Sequence, residues 1–264
     1  MNYKILLGTK LALNLQINNS VNRSILNKIT ERYGPFFVRS FKKQKVLDLK
    51  LVFVPDKLNQ NKEVTYKNIK GVHCFSRNDF QLSFDTSKLK AVAQLRENIY
   101  SLDSLLRVVF SVFSVINNGF LVHASGIKFR NAANLFIGKT NAGKSTIAKK
   151  FKPSAVLSDE LVLVQNINGI IKASSTPFWG ELKPGKTNLT LKLKKICFIQ
   201  KSKKYFVKNE FSPAFIKKLL PNILFFSKDP KLISKMIDTI LSMKNKLIFQ
   251  TLFFPKNISA EKLC

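Results

Sequence analysis

Apolar runs in the first hundred residues of the chain predict a β-rich N-terminal region. Val46 to Val54 is almost continuously apolar, and Phe36 to Val38 is a shorter run of the same kind. β-branched and aromatic residues in short runs between turn signals are typical of strands. The turn signals stand at Gly34-Pro35, Pro55-Asp56 and Asn78-Asp79.

The apolar spacing changes after Ser87, which is a candidate N-cap. From Lys88 onwards apolar residues recur at helical intervals up to Ile116. Asn117-Asn118-Gly119 then forms a strong stop signal. We therefore expect one helix that begins near Lys88 and ends before Asn117.

The remaining chain reads as short strands with a few helices. Strands are expected at Phe120–Ala124, Gly126–Phe129, Ala132–Ile137, Ala155–Leu157, Leu161–Gln165 and Ile170–Ala173, within Leu189–Gln200, and at Lys246–Phe254. Helices are expected at Ser145–Phe151, Pro213–Leu220 and Pro230–Met243. Asn168-Gly169 predicts a hairpin turn. The pattern favours an α/β fold with a mixed sheet, in which residues 1–100 are the β-rich part and residues 101–264 form the second domain or complete the first.

A phosphate-binding loop of the Walker A type, GxxxxGK[ST], is the clearest motif. It reads Gly138-Lys139-Thr140-Asn141-Ala142-Gly143-Lys144-Ser145, followed by Thr146. Glycines let successive amides turn towards an anion, and the following helix adds its dipole. Lys144 is expected on the β- and γ-phosphates and Ser145 on Mg²⁺. ATP and Mg²⁺ are the expected ligands, and the alternative is a glycine-rich turn with a surface lysine.

Two adjacent acids, Asp159 and Glu160, follow Lys144 by fifteen and sixteen residues, after the apolar triplet Ala155–Leu157. An acid at a strand end beside a phosphate loop is where a Mg²⁺ ligand belongs. Two acids also permit one to hold the metal while the other accepts a proton. The alternative is a turn with two solvated acids. Guanine-binding NKxD, a transporter signature and the HRD…DFG kinase set are absent from the sequence.

Four segments together resemble the C-terminal domain of HPr kinase/phosphorylase. They are His123–Gly126, Phe136–Thr146, Val156–Glu160 and Thr176–Glu181. That family shares its fold with ATP-dependent phosphoenolpyruvate carboxykinase. The resemblance implies a P-loop core of this type in residues 119–186, and an ATP-dependent kinase that acts on a hydroxyl group.

The resemblance also implies roles for individual residues. Asp159 would be the catalytic base, Glu160 would help Ser145 to hold Mg²⁺, and His123 would lie near the phosphates. On the residues alone, His123 is equally well explained as a buried core histidine. The chain has no arginine after Arg130, so Lys183 or Lys186, or a partner subunit, would have to stabilise the transferred charge. The expected site edge comprises Glu181, Lys183 and Lys186.

Three functions are compatible with these residues. The leading hypothesis is an ATP-dependent phosphotransferase, with Asp159 and Lys144 as catalytic residues and a protein, peptide or small molecule as acceptor. The second is a nucleotide-binding regulatory or scaffold protein without turnover. The third is a simple ATPase, since a glutamate beside the loop can activate water.

The formal charge of +30 is extreme, and lysine far outnumbers arginine. Such a field attracts anions. A functional basic face is one interpretation, and compositional drift over a solvated surface is the other. Residues 183–208 form the most basic stretch and would suit an acidic partner. Nucleic acid is less favoured, because no stacking motif is recognisable. Homo-oligomers are an implication of the family resemblance.

The three cysteines and two histidines are widely spaced, which argues against a zinc site or a disulfide framework. Reduced thiols fit a cytoplasmic location best. A secretory signal is not recognisable at residues 1–15, and the longest uncharged apolar run, Val108–Ile116, is too short to span a membrane. We therefore expect a cytoplasmic protein.

Overall fold

The structure is a computed structural model that describes residues 1–17, 21–55, 58, 60–183, 188–209, 214–255 and 257–263. Contacts divide the chain into two compact units. Unit 1 contains Met1–Asn117 and Phe225–Lys235, and unit 2 contains Asn118–Leu224 and Met236–Cys264. The division that the sequence suggests, at residue 100, stays a prediction; the contacts change units seventeen residues later, after Asn117.

Unit 1 is built on one mixed sheet. Its strands are β1 (Asn2–Leu7), β2 (Leu11–Ile17), β3 (Val46–Val54), β4 (Thr65–Ile69), β5 (Val72–Arg77), β6 (Phe80–Asp85) and β7 (Lys90–Arg96). The spatial order is β1-β2-β3-β7-β6-β5-β4, with β3 parallel to both of its neighbours. Two helices accompany the sheet, α1 (Arg23–Tyr33) and α2 (Ile99–Ile116). The predicted β-rich N-terminal region is therefore confirmed.

The prediction of a helix from Lys88 is wrong over its first part. Residues 90–96 form β7, which pairs with β3 on one side and β6 on the other. Their side chains alternate, so that Ala91, Ala93 and Leu95 are buried. The helix α2 begins only after Asn98, whose side chain accepts a hydrogen bond from the amide of Tyr100 at 2.8 Å. The apolar spacing of this segment fits both the helical and the strand period. Pairing with β3 and β6 stabilises the strand.

The strand predicted at Phe36–Val38 is also absent from the described structure. Gly34–Phe36 is a short 3-10 turn that continues α1, and Phe37 forms an isolated antiparallel bridge with Ile5. Pro35 at the first turn fixes the backbone angle that the 3-10 turn needs.

The helix α2 is long and apolar enough, by length and composition alone, to cross a membrane. Most of its residues are nevertheless buried within the protein, including Leu102, Leu105 and Leu106. A core helix of a soluble protein has the same properties, so a soluble protein is consistent with α2. The predicted cytoplasmic location stays a prediction.

Unit 2 carries the phosphate-loop motif on a second mixed sheet. The described strands are β8 (Gly119–Phe129), β9 (Ala132–Ile137), β10 (Val156–Ser158), β11 (Leu161–Ile167), β12 (Ile170–Ser174), β13 (Thr190–Lys201), β14 (Phe206–Asn209), β15 (Ile223–Leu224) and β16 (Ile248–Phe254). The helices are α3 (Lys144–Ala148), α4 (Ala214–Leu219) and α5 (Pro230–Leu241), and α5 has residues in both units. The main order is β10-β8-β11-β12-β13-β16-β14, with β9 between β8 and β13 and with β15 on β8.

Most predicted elements of unit 2 are present with shifted ends, and the α/β class is confirmed. Residues 120–124 and 126–129, expected as two strands, form the single strand β8. Gly126 lies within this strand because the neighbouring strand packs closely against it. A Cβ at this position would come within 2.8 Å of Val162. The hairpin of β11 and β12 turns at Asn168-Gly169 as predicted.

The short helix α3 is anchored on the sheet by apolar contacts. Ile147 and Ala148 are fully buried against side chains of β8, β9, β13 and β16. The cluster comprises Ile127, Phe136, Ile147, Ala148, Val156, Cys197, Ile199, Leu252, Phe254, Ile258 and Leu263. Burial of this cluster fixes the start of α3, and with it the loop, over the ends of the parallel strands.

Candidate phosphate-binding site

The topology of unit 2 brings the predicted site residues to one edge of the sheet. β9, β13 and β16 are parallel, so their carboxyl ends meet at the same edge. In α/β sheets this edge is where ligands bind. β8 runs antiparallel to β9 and pairs Ala124 with Ile137, the last residue before the loop. β11 pairs Leu161 with His123, which places the preceding acids at the same edge.

The loop has a backbone shape that favours an anion. Asn141 and Gly143 adopt positive φ values of 64° and 110°. Within the described chain, the amides of residues 143–146 have no intramolecular acceptor, whereas the amide of Ile147 donates to the Gly143 carbonyl at 2.9 Å. Unsatisfied amides at the first turn of a helix are donors for a phosphate or another anion.

Gly138 is required by close approach rather than by its backbone angle. A Cβ at this position would lie 2.8 Å from the Cβ of Ala142 and 2.8 Å from a side-chain carbon of Ile199. The loop therefore turns tightly against β13, and no larger residue fits without moving the loop.

Lys144 lies inside the loop. Its Nζ donates to the carbonyl oxygens of Gly138 at 2.7 Å and Lys139 at 3.1 Å. Burial lowers the pKa of Lys144 from its ordinary value. An ammonium group held by two neutral carbonyls in a partly desolvated position is stabilised further when an anion arrives.

The acids follow β10 in a turn that Ser158 organises. The Ser158 hydroxyl donates to the Phe178 carbonyl at 3.0 Å. It accepts from the amides of Glu160 at 3.1 Å and Leu161 at 3.2 Å. This buried hydroxyl ties the acidic turn to the segment that contains Phe178.

Asp159 is buried, with 4% of its surface exposed, and both of its carboxylate oxygens are engaged by backbone amides. One oxygen accepts from Gly180 at 2.8 Å. The other accepts from Glu181 at 2.8 Å and Leu182 at 3.0 Å. The carboxylate therefore holds the Gly180–Leu182 turn in place, and it also lines the cavity beside the loop. Both predicted roles of Asp159 stay predictions.

Glu160 is half-buried and lines a cavity of about 710 Å³ next to the loop. Its backbone carbonyl accepts from the amide of Ala124 at 3.0 Å, which fixes the turn beside β8. The same cavity is lined by Ser145, Thr146 and Glu181. We refer to it as the acidic cavity.

A second cavity of about 940 Å³ lies along Lys139 and Ala142 of the loop. We refer to it as the lysine cavity, because the residues that line it include Lys139, Lys144, Lys201, Lys217 and Lys218. His123 is half-buried and lines both cavities, as do Thr140, Asn141 and Lys144. The two cavities therefore share one wall, which His123 and the loop form.

The predicted edge residues have different environments. Glu181 is exposed and forms an ion pair with Lys149 at 2.6 Å. Lys183 is exposed and is absent from the described lining of both cavities. Lys186 lies outside the described residues. Glu181 is thus the edge residue that the structure brings to the site.

Sequence reasoning missed the lysines of α4 and the roles of Ser158 and Gly180. Gly180 donates to Asp159, and a Cβ on it would lie 3.4 Å from a carboxylate oxygen. A signal for Ser158 was available, since serine before an acidic turn commonly bonds to nearby amides. No signal linked Lys217 and Lys218 to a loop more than seventy residues earlier.

The residues of the acidic cavity fit a magnesium nucleotide. The Ser145 hydroxyl is a hard oxygen donor of the kind that Mg²⁺ prefers, and the carboxylates of Asp159 and Glu160 line the same cavity. Among the described residues, no group of three His, Cys, Asp or Glu side chains converges on a metal position. Mg²⁺ in this cavity would take its remaining ligands from phosphate oxygens and water, as is usual for this ion.

Comparison with known proteins adds little to this geometry. No family model matches the chain, and no curated protein matches its sequence. Among solved structures, the chain is similar to the Hpr(Ser) kinase/phosphatase from Coxiella burnetii, with a TM-score of 0.26 and 11% identity. This similarity covers 46% of this chain and 87% of that chain. Similarity at this level is too low to establish a shared fold or function.

Proposed function

We propose that unit 2 binds a magnesium nucleoside triphosphate and transfers its γ-phosphoryl group to a hydroxyl of a second molecule. One observation carries the proposal: a phosphate loop with unsatisfied amides, a partly buried lysine and a carboxylate meet around one cavity of a single unit. The expected family, an HPr-kinase-like P-loop kinase, has the same chemistry.

The loop supplies binding and charge stabilisation. The amides of residues 143–146 and the Nζ of Lys144 would donate to the phosphate oxygens. The Ser145 hydroxyl would hold Mg²⁺, which would supply positive charge at the transferred group. Positioning and electrostatic stabilisation account for most of the rate in phosphoryl transfer.

The proton is assigned to Glu160. The acceptor oxygen forms a bond to the γ-phosphorus, the bond between that phosphorus and the β–γ bridging oxygen breaks, and the nucleoside diphosphate leaves. The hydroxyl proton passes to the Glu160 carboxylate, which lines the acidic cavity. Asp159 would keep its three backbone bonds and position the Gly180–Leu182 turn. This division assigns the role of base to Glu160 in place of Asp159.

The test combines binding and turnover. Calorimetry with ATP and Mg²⁺ is expected to give binding that Lys144→Ala weakens by about 100-fold or more, since a buried charged contact to phosphate is lost. Lys152→Ala, an exposed lysine just after α3, serves as the matched control and is expected to leave binding unchanged. Equal ATP affinity in wild type and Lys144→Ala would contradict phosphate binding at this loop.

Turnover separates the kinase from the other two functions. Release of diphosphate that requires an added hydroxyl acceptor supports the transferase, and Glu160→Gln is expected to abolish it while binding persists. Diphosphate release without any acceptor would instead show an ATPase. Tight binding with no diphosphate release under either condition would show a nucleotide-binding protein without turnover.

A further inference from the structure

The lysine cavity has a charge pattern that the triphosphate site does not explain. Five lysines line it, and none of its described lining residues is an acid. Ile137, Phe198 and Ile199 contribute apolar surface to its wall near the strand ends. A concave site that is lined by several cations and by no described acid has a positive potential, and low-dielectric walls focus that potential on a bound anion.

Lys218 is held in place at the cavity wall. Its Nζ donates to the hydroxyl of Thr251, a buried residue of β16, at 2.8 Å. The same ammonium lies 5.6 Å from the centre of the Phe198 ring. These contacts fix a positive charge on α4 against the sheet. A fixed charge binds an anion without the entropy that a free lysine side chain loses.

Lys217 and Lys201 add mobile charges at the same cavity. Lys217 is exposed on α4, and Lys201 is exposed at the carboxyl end of β13. Lys201 lines the acidic cavity as well. Most lysines of such a basic chain are expected to be spread over its surface. The lysines of this cavity instead come together from a strand end, a loop and a helix.

We propose that the lysine cavity binds the phosphoryl acceptor and that this acceptor is anionic, a hydroxy compound that carries a carboxylate or phosphate group. The inference rests on the proposed function. The acceptor's anionic group would be bound by Lys217, Lys218 and Lys201. Its hydroxyl would then reach the wall that the two cavities share at His123 and Lys144, where the γ-phosphate is expected.

The first test measures a second anion beside the nucleotide. The protein is saturated with a non-hydrolysable ATP analogue and Mg²⁺, and 3-phosphoglycerate or glycerol is titrated in by calorimetry. 3-Phosphoglycerate is expected to bind and glycerol to give no signal, and binding is expected to weaken with rising salt. Absence of 3-phosphoglycerate binding down to an affinity of about 1 mM overturns the proposal.

The second test assigns the cavity. Lys217→Gln is expected to weaken 3-phosphoglycerate by about 10-fold and to leave the affinity for the ATP analogue unchanged, whereas Lys201→Gln, whose side chain lines both cavities, is expected to weaken 3-phosphoglycerate by a similar factor. Lys194→Gln on β13 and Lys128→Gln on β8 are exposed lysines that do not line the cavity, and both are expected to behave as wild type. An equal loss of analogue affinity in Lys217→Gln would show that the nucleotide itself fills the cavity, and would overturn the proposal.

A third arm separates this inference from the proposed function. If the wild type binds no nucleotide, the proposed function fails. 3-Phosphoglycerate binding that Lys217→Gln abolishes and Lys144→Ala leaves intact would then still support an anion site in the lysine cavity. Binding that depends on Lys144 alone would place the anion in the phosphate loop and overturn the lysine site.

Discussion

Replacement of Asp159 by asparagine separates a residue that holds the site together from one that acts on the ligand. The carboxylate accepts three backbone hydrogen bonds while only 4% of the residue is exposed. Asparagine has one oxygen, so it retains the bond from Gly180 or the two bonds from Glu181 and Leu182. Its NH₂ group then faces the amide donors on the other side.

The cost follows from these bonds. A hydrogen bond to a charged group contributes about 1.5–3 kcal/mol, and an unsatisfied buried donor costs about as much. At least one bond is lost and the remaining ones lose their charge, so we expect a loss of about 2–4 kcal/mol in the free energy of unfolding of unit 2. For a unit of this size, that loss lowers the melting temperature by about 6–12 °C.

Hydrogen exchange gives the specific readout. In Asp159→Asn the amides of Gly180, Glu181 and Leu182 are expected to exchange faster than in wild type, because their acceptor is gone or weakened. Glu160→Gln is the matched control, since this neighbour lines the cavity and makes none of the three bonds. The control is expected to leave exchange and melting temperature unchanged and to lose turnover.

One result would refute the assignment of Asp159. If Asp159→Asn keeps wild-type exchange at these amides and its melting temperature, yet loses phosphate transfer by about 100-fold, the carboxylate acts on the ligand. Asp159 would then be the base, as the family resemblance implies, and its bonds in this structure would belong to the ligand-free site.

Three further changes test other parts of the structure. Gly138→Ala places a methyl group 2.8 Å from carbon atoms of the loop and of β13. The resulting overpacking costs about 1–3 kcal/mol and is expected to weaken ATP binding by about 10-fold in calorimetry. Gly34→Ala is the control, because nothing lies within 4 Å of the added methyl group. Hydrogen bonding from Ser87 lowers the pKa of Asp85 to about 2, so the stability that the Asp85 carboxylate contributes is present above about pH 4 and is lost as the pH falls towards 2. In Ser87→Ala, NMR titration is expected to give a higher pKa for Asp85. An unchanged pKa would contradict this role of Ser87. Burial lowers the pKa of His73, so the folded chain binds fewer protons at this residue than the unfolded chain does. Urea unfolding is therefore expected to show that the stability of the wild type decreases as the pH falls below about 6.5. In His73→Gln, the stability is expected to depend less steeply on pH.

The sequence predicts the structure best where the conformation depends on residues that are close together in the chain. The phosphate loop is one contiguous segment, and its conformation follows from the glycines and from the strand and helix on either side. The hairpin at Asn168-Gly169 is local in the same way, since both residues adopt positive φ. The helix predicted from Lys88 failed because β3 and β6, distant in sequence, decide the conformation of residues 90–96.

The acid pair marks the limit of what a motif predicts. Asp159 and Glu160 are adjacent and chemically similar, and the sequence offers no reason to prefer one as base beyond family resemblance. Both residues line the acidic cavity, and the difference between them comes from a segment about twenty residues later, where three consecutive amides donate to the Asp159 carboxylate. A buried carboxylate that accepts three backbone hydrogen bonds stabilises the turn that donates them, and a change at this residue disturbs that turn. The proposed assignment of the base to Glu160 therefore rests on the structural role of the Asp159 carboxylate, and the hydrogen exchange of Gly180, Glu181 and Leu182 in Asp159→Asn decides whether that role is the main one.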